Sequence, residues 1–578
     1  MVNAELKHEL WLNRCLPEQG ADFSGAKSTH LLSFDGSKVN HEFTANWSRI
    51  DESLNMRDAR FADIAMESAH IGGMLRLDRS TVTGKLDLDE LHVDSSLVMS
   101  DARVADIAVE SAHIGGMLRL DRSTATGKLD LDKLHVDSSL VMSDAHFGEV
   151  VLGSAHIGGT LELDNSTVTR RLYLDKLQVD SSLFMRSGEF EEVALESAHI
   201  GGTLELNGST VSGKLHLDQL HVDSSLFMGN ARFGDISLVG AHIAGVLSLS
   251  RSKVSGELNM DKLHVDSSLF MRDYAQFADV NLTSAHIGGQ LSMKTAAVTG
   301  DLRCYNLTVD QDAVLSDARF TGKIDCRFSK FRNLDLTKSI FSGDVNLGSA
   351  QISGELELGE AVPQHSAQWS AGKTLILRNA RAETIPMLTD AWPAQVDVNG
   401  FTYKALTRDI AVNPHRTPEC SSGLFECWFE KQKSSSPQPY EQLALVFQNQ
   451  GHDDEARAVR YAGRERERSE AGGLRWAWLT TLNWAIGYGH RIEWALVWTI
   501  VLVGLGALVL GISGEGRKHG LPVGISYSFD MLLPVIKLRD AHYQIDLAGW
   551  PRYYFYVHKV AGFVLASFLV AGISGLTK

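Results

Sequence analysis

Residues 68–88 read Ser-Ala-His-Ile-Gly-Gly-Met-Leu-Arg-Leu-Asp-Arg-Ser-Thr-Val-Thr-Gly-Lys-Leu-Asp-Leu, and their opening phrase returns along the chain. Ser-Ala-His-Ile-Gly-Gly begins at Ser68, Ser111, Ser154, Ser197 and Ser284, and Gly-Ala-His-Ile-Ala-Gly begins at Gly240. The histidines of the phrase, His70, His113, His156, His199, His242 and His286, are separated by four gaps of 43 residues and one of 44. A finer period lies inside each unit. Apolar pairs two residues apart, Leu75/Leu77, Leu86/Leu88, Leu97/Met99, Ile107/Val109 and Leu118/Leu120, advance by 11, 11, 10 and 11. Such a pair is a short strand with one buried face, because strand side chains alternate sides. A helical repeat needs an unbroken 3.6-residue period, and the Gly-Gly, Thr-Gly and Asp-Ser-Ser turn elements interrupt it. The strands are too short to stand alone. Each must pair with its equivalent in the next coil, about 4.8 Å away, around one continuous apolar core.

Two of these steps make a coil of 21 or 22 residues, so each 43-residue unit is two turns. Steps such as Ala21-Asp22-Phe23-Ser24-Gly25 and Ala59-Arg60-Phe61-Ala62-Asp63 resemble the β-helix of pentapeptide-repeat proteins. The resemblance implies a mainly β fold, a four-sided and right-handed parallel solenoid; the six-residue sides depart from a pure five-residue pattern. The expected solenoid spans residues 21–400, about 17 coils and roughly 80 Å at the strand spacing. Residues 1–20, with Leu6, Leu10 and Trp11 at helical spacing, are expected to form a capping helix.

The 578 residues carry a net charge of −16. Residues 61–300 hold 33 Asp and Glu against 19 Lys and Arg, so the solenoid carries nearly all of the excess. That balance argues against nucleic acid as a partner and leaves an acidic surface for an unknown protein. Cys15, Cys304, Cys326, Cys420 and Cys427 lack metal-site spacing and read as reduced thiols.

After residue 400 the pattern changes. Residues 401–438 read as a linker and 439–492 as a helical hairpin stopped at Gly451, followed by a basic segment with Arg464, Arg466, Arg468, Arg475 and Arg491. Two uncharged runs, Ala495 to Ser513 and Val560 to Thr577, predict a two-span domain over 493–578. The arginines place the solenoid in the cytoplasm under the positive-inside rule, and Trp476, Trp478, Trp484, Trp494 and Trp498 suit an interfacial belt. Between the runs, Tyr527, Ser528, Phe529, Asp530, Pro534 and Lys537 lie in a segment that resembles a degenerate pore loop without the glycine-tyrosine-glycine filter. Gly504 and Gly506 are expected to allow close helix packing rather than to bind phosphate.

The segments Gly400-Phe401-Thr402-Tyr403, Pro439-Tyr440-Glu441-Gln442-Leu443 and Trp484-Ala485-Ile486-Gly487-Tyr488-Gly489 resemble bacterial repeat-bearing proteins of the inner membrane. Members are often labelled membrane-associated oxidoreductases. That label is not carried over, because the sequence shows no nucleotide fingerprint after a strand, no haem attachment motif and no paired redox cysteines.

The histidines of the phrase lie two coils apart, about 9.6 Å, which is too far for two imidazoles to share a zinc ion. A second series, His92, His135, His221 and His264, is broken by Gln178. The Val-Asp-Ser-Ser elements with Asp94, Asp137, Asp180, Asp223 and Asp266 read as coil corners. No catalytic, cofactor-binding or metal-binding residue is therefore expected. The reading is of a non-catalytic, membrane-anchored solenoid that binds lipid through its spans and a protein through its acidic surface. The alternative is a homo-oligomeric channel-like or membrane-disrupting effector with the solenoid as sensor, and an enzyme ranks third.

Overall fold

The structure, a computed structural model, describes residues 1–17, 20–359, 365–385, 391–406, 429, 431–432, 436–489, 493–521, 524–533 and 537–573. The chain divides into two compact units, Met1–Arg416 and Thr417–Lys578. The first is a parallel β-solenoid of about 18 turns. Its strands stack in register by equivalent positions: Ile71 lies opposite Ile50 and Val93, Leu75 opposite Leu54 and Leu97, and Leu86 opposite Ile64 and Ile107. Each coil therefore places an apolar side chain above one of its own kind, and these positions are fully buried. A further set of strands, such as Thr81–Asp87, runs six or seven residues with a bulge after Val82; beyond residue 250 it becomes two short strands, Lys253–Val254 and Leu258–Asn259.

The corners are tight. Ser68, Arg79, Glu90 and Asp101 hold φ between 52° and 59°, a left-handed conformation that costs a non-glycine residue roughly 1–2 kcal/mol. Each of their N–H groups donates to the next coil, to Asp89 O, Ser100 O and Glu110 O at 2.9 Å and to Asp121 O at 3.0 Å. Buried serines complete the pairing. Ser80 Oγ donates to Met56 O at 2.5 Å and accepts from Ala59 N at 3.2 Å, and Ser123 repeats this with Met99 and Ala102. The expected corner role of Val-Asp-Ser-Ser holds too, since Ser96 Oγ accepts from Met117 N and Ser139 Oγ from Thr160 N. Gly115 sits directly over this corner: a Cβ there would meet Asp94 O at 2.6 Å.

Two expectations about the first unit need correction. Residues 1–20 form strands rather than a helix among the described residues. Glu5–Leu6 pairs with Lys27–Ser28, and Leu10–Trp11 with Leu32–Ser33, because the two-residue alternation already begins there. The solenoid consequently runs from Glu5 to Leu406, beyond 21–400 at both ends. Cys304 and Cys326 stand one coil apart and are buried together; the hydrogen bond with Cys304 and burial push the Cys326 thiol well up.

In the second unit, helix α1 (Pro437–Asn449) packs on α2 (Asp453–Glu470) across Gly451, whose φ of 82° allows the turn. Helix α3 (Gly473–Ile486) follows, then α4 (Glu493–Ser513), the short α5 (Ile525–Leu532) and α6 (Trp550–Ile573). The expected linker, 401–438, lies mostly outside the described residues. Among the described residues one helix is long and apolar enough to cross a membrane, Trp494–Ser513, not two. Helix α6 begins well before Val560 and so takes in Arg552, His558 and Lys559, while 574–577 of the expected run lie outside the described residues.

Leu140 is completely buried, facing Leu118 and Leu161, whereas Val141 beside it is half-buried. Leu140→Ala should cost about 2–5 kcal/mol of solenoid stability, and Val141→Ala clearly less, by chemical denaturation followed by circular dichroism.

Candidate functional site: a histidine–aspartate ladder

In each Ala-His-Ile or Leu-His-Val strand the inward residue is Ile or Val, so alternation turns the histidine outward. Parallel register then sets His70 opposite His92, and His92 opposite His113. The two histidine series that the 43-residue spacing separates are thus one ladder with a rung per coil. Successive rings from His70 to His156, and from His199 to His286, have centroids 4.8–5.0 Å apart. The two-coil separation holds only within one series; the nearest imidazole belongs to the other.

The aspartates join the ladder because they lie two residues beyond a histidine, on the same side of the chain. Asp94 Oδ1 is 2.9 Å from Nε2 of both His70 and His92. Asp137 Oδ1 is 2.9 Å from Nε2 of His113 and of His135. Asp223 Oδ1 lies 3.1 Å from His199 and 2.8 Å from His221, and Asp266 Oδ1 3.0 Å from His242 and 2.8 Å from His264. Between these groups the rings meet through Nδ1: His92 with His113 at 3.2 Å, His135 with His156 at 3.1 Å, His221 with His242 at 3.1 Å and His264 with His286 at 3.2 Å. Such a contact is a hydrogen bond only when one of the two Nδ1 atoms carries a proton.

Gln178 and Thr308 occupy the rung where a histidine would stand, and they divide the ladder into two runs of equal design. Each run has two His-His-Asp groups and a third that is incomplete. At the first break Gln178 Nε2 donates to Asp180 Oδ1 at 3.3 Å, and His156 Nε2 lies 3.0 Å from the same oxygen. The four complete groups each bring two imidazole nitrogens and one carboxylate oxygen within 4.8 Å of one another. The rings and carboxylates are about half exposed, so the ladder faces solvent. The signal for it was in the sequence: His92-Val93-Asp94 follows His70 by a single coil length.

Electrostatics bind the rungs. Partial burial raises Asp94, but hydrogen bonds and charge from His70 and His92 outweigh it; at Asp137 and Asp266 the hydrogen bonds from His113 and His242 are the largest effect. All three carboxyls lie below their ordinary range.

The described residues expected at the membrane side lie in the helical unit. Asp530 is completely buried and accepts hydrogen bonds from Leu538 N (2.6 Å), Arg539 N (3.1 Å) and His542 Nδ1 (2.6 Å). It ties Leu538, Arg539 and His542 to α5. Tyr527 is buried against Phe555 at 5.2 Å, Phe529 is half-buried, and Lys537 is exposed over the Tyr543 ring at 5.5 Å. Ser528 Oγ is buried 3.3 Å from His558 Nε2. A Cβ on Gly506 would meet that hydroxyl at 2.1 Å, so Gly506 does serve close packing, while Gly504 faces open space. Pro534 and Arg491 lie outside the described residues. The arginines are paired: Arg464 and Arg475 with Glu467 at 2.8 and 2.6 Å, Arg468 with Glu465 at 2.6 Å, and Arg466 with Glu470 at 3.1 Å and with Phe429 O and Gln432 O. Trp476, Trp478 and Trp484 are substantially exposed.

Two measurements check this account. Carboxyls held low in the folded state stabilise it above their unfolded value near 3.9, and that stabilisation is lost as pH falls through the lower folded value. The melting temperature should therefore drop below about pH 4, and replacing Asp94, Asp137 and Asp266 with Asn should flatten that drop. Asp530→Ala should strip the 537–549 segment of its anchor at roughly 1–3 kcal/mol for each donor left unpaired, read as faster proteolysis at that segment with α1–α3 unaffected. No family model, curated protein or solved structure matches the chain.

Proposed function

We propose that the protein is a membrane-anchored, non-catalytic solenoid that presents a regular acidic surface to a protein partner. The observation that carries this reading is the repetition itself. Outward histidines recur in every coil from His70 to His286 except at Gln178, which suits a partner that is itself long or repetitive. The Trp494–Ser513 helix supports an anchor in lipid, with Leu496, Ile500, Leu508 and Ile512 more than half exposed. On this reading the membrane is a bacterial inner membrane, the solenoid lies in the cytoplasm, and the anchor pairs with further copies of itself. The inward pairs of each coil support a four-sided solenoid, and its resemblance to pentapeptide-repeat proteins favours a right-handed one.

Crosslinking in intact membranes followed by mass spectrometry tests the surface. The wild-type chain should capture a partner that is lost when Asp94, Asp137, Asp223 and Asp266 are all replaced by Asn. Capture of the same proteins by both chains would sink the reading.

A further inference from the structure

We propose that His70/His92/Asp94, His113/His135/Asp137, His199/His221/Asp223 and His242/His264/Asp266 are binding sites for a divalent transition-metal ion of the zinc class. These groups share their aspartates with the partner surface, and counting bound ions tests them without reference to a partner. In each group the two Nε2 atoms converge on one carboxylate oxygen at 2.8–3.1 Å. Ligand atoms on a tetrahedral ion at about 2.0–2.1 Å stand about 3.3 Å apart. The histidine–carboxylate separations therefore need to change by only a few tenths of an ångström, and the two Nε2 atoms, within 4.8 Å of each other, close on the ion by rotation of half-exposed side chains. Two imidazoles and a carboxylate are a donor set that zinc accepts with its fourth position open, here toward solvent. Imidazole nitrogen disfavours magnesium and calcium, which take oxygen ligands. The backbone holds the donors in place, because each histidine lies on a strand hydrogen-bonded to both neighbouring coils.

The ring contacts set the stoichiometry. A neutral imidazole that binds metal through Nε2 carries its proton on Nδ1. With the first group filled, His92 Nδ1–H donates to Nδ1 of His113, whose Nε2–H still donates to Asp137. With both groups of a run filled, two N–H groups would face each other at 3.2 Å, the His92–His113 separation. The first ion in a run thus weakens the second, and the chain should bind two ions tightly, one per run, and two more weakly.

The test is a Zn²⁺ titration of the full chain, metal-stripped and without a polyhistidine tag, in detergent micelles. Calorimetry and elemental analysis count bound ions, and circular dichroism confirms the solenoid. The wild type should show two tight equivalents and at most four in all. His92→Gln with His135→Gln disables both groups of the first run and should leave one tight equivalent. Gln178→His completes the group around His156 and Asp180 and should raise the count to three, because alternate groups share no ring contact. Cobalt in place of zinc should give visible absorption that follows the same counts. Fewer than two tight equivalents in the wild type, or one count common to all three proteins, overturns the proposal.

Discussion

Parallel hydrogen bonding between equivalent residues of successive coils is the constraint on which everything else depends. Each strand of the solenoid is only a few residues long and has no stability alone. Register from one coil to the next brings like above like, so inward leucines stack into a core while the corner N–H groups find carbonyls one coil on. The left-handed corners illustrate the balance: Arg79 and Glu90 accept an unfavourable φ because their N–H groups each gain an intercoil bond.

The same register turns repetition into chemistry. A lone exposed histidine does little, but one histidine per coil puts imidazoles in ring contact, and an aspartate in every second coil draws them into groups of three. Gln178 and Thr308 matter for this reason. They interrupt the outward ladder without disturbing the inward stack, since Val179 and Val309 remain buried beside them.

The helical unit works by different means. Gly506 and Gly562 let α5 approach α4 and α6 at distances that a side chain would forbid, and Asp530 and Glu515 anchor the intervening loop through backbone N–H groups, Glu515 accepting from Ala548 N at 3.2 Å. Charges that look free in one dimension are engaged here. Arg464 and Arg468 of α2 and Arg475 of α3 pair with glutamates of α2.

Sequence by itself determined the solenoid, its coil length and its inward residues, because burial on one strand face writes a short alternation inside a longer coil period, and every copy repeats it. The hairpin at Gly451 and the apolar run to Ser513 were legible for similar local reasons. At the N-terminus Leu6, Leu10 and Trp11 fit a helical spacing as well as a strand alternation, and only pairing with the coil above decides between the two. What the tertiary structure alone decided was proximity: that His70 and His92 are neighbours, that Cys304 lies against Cys326, and that Asp530 is buried in a loop anchor. Spacing along a chain specifies which face a side chain takes, whereas contact depends on which coil lands on which, and that is fixed only when the backbone hydrogen bonds close.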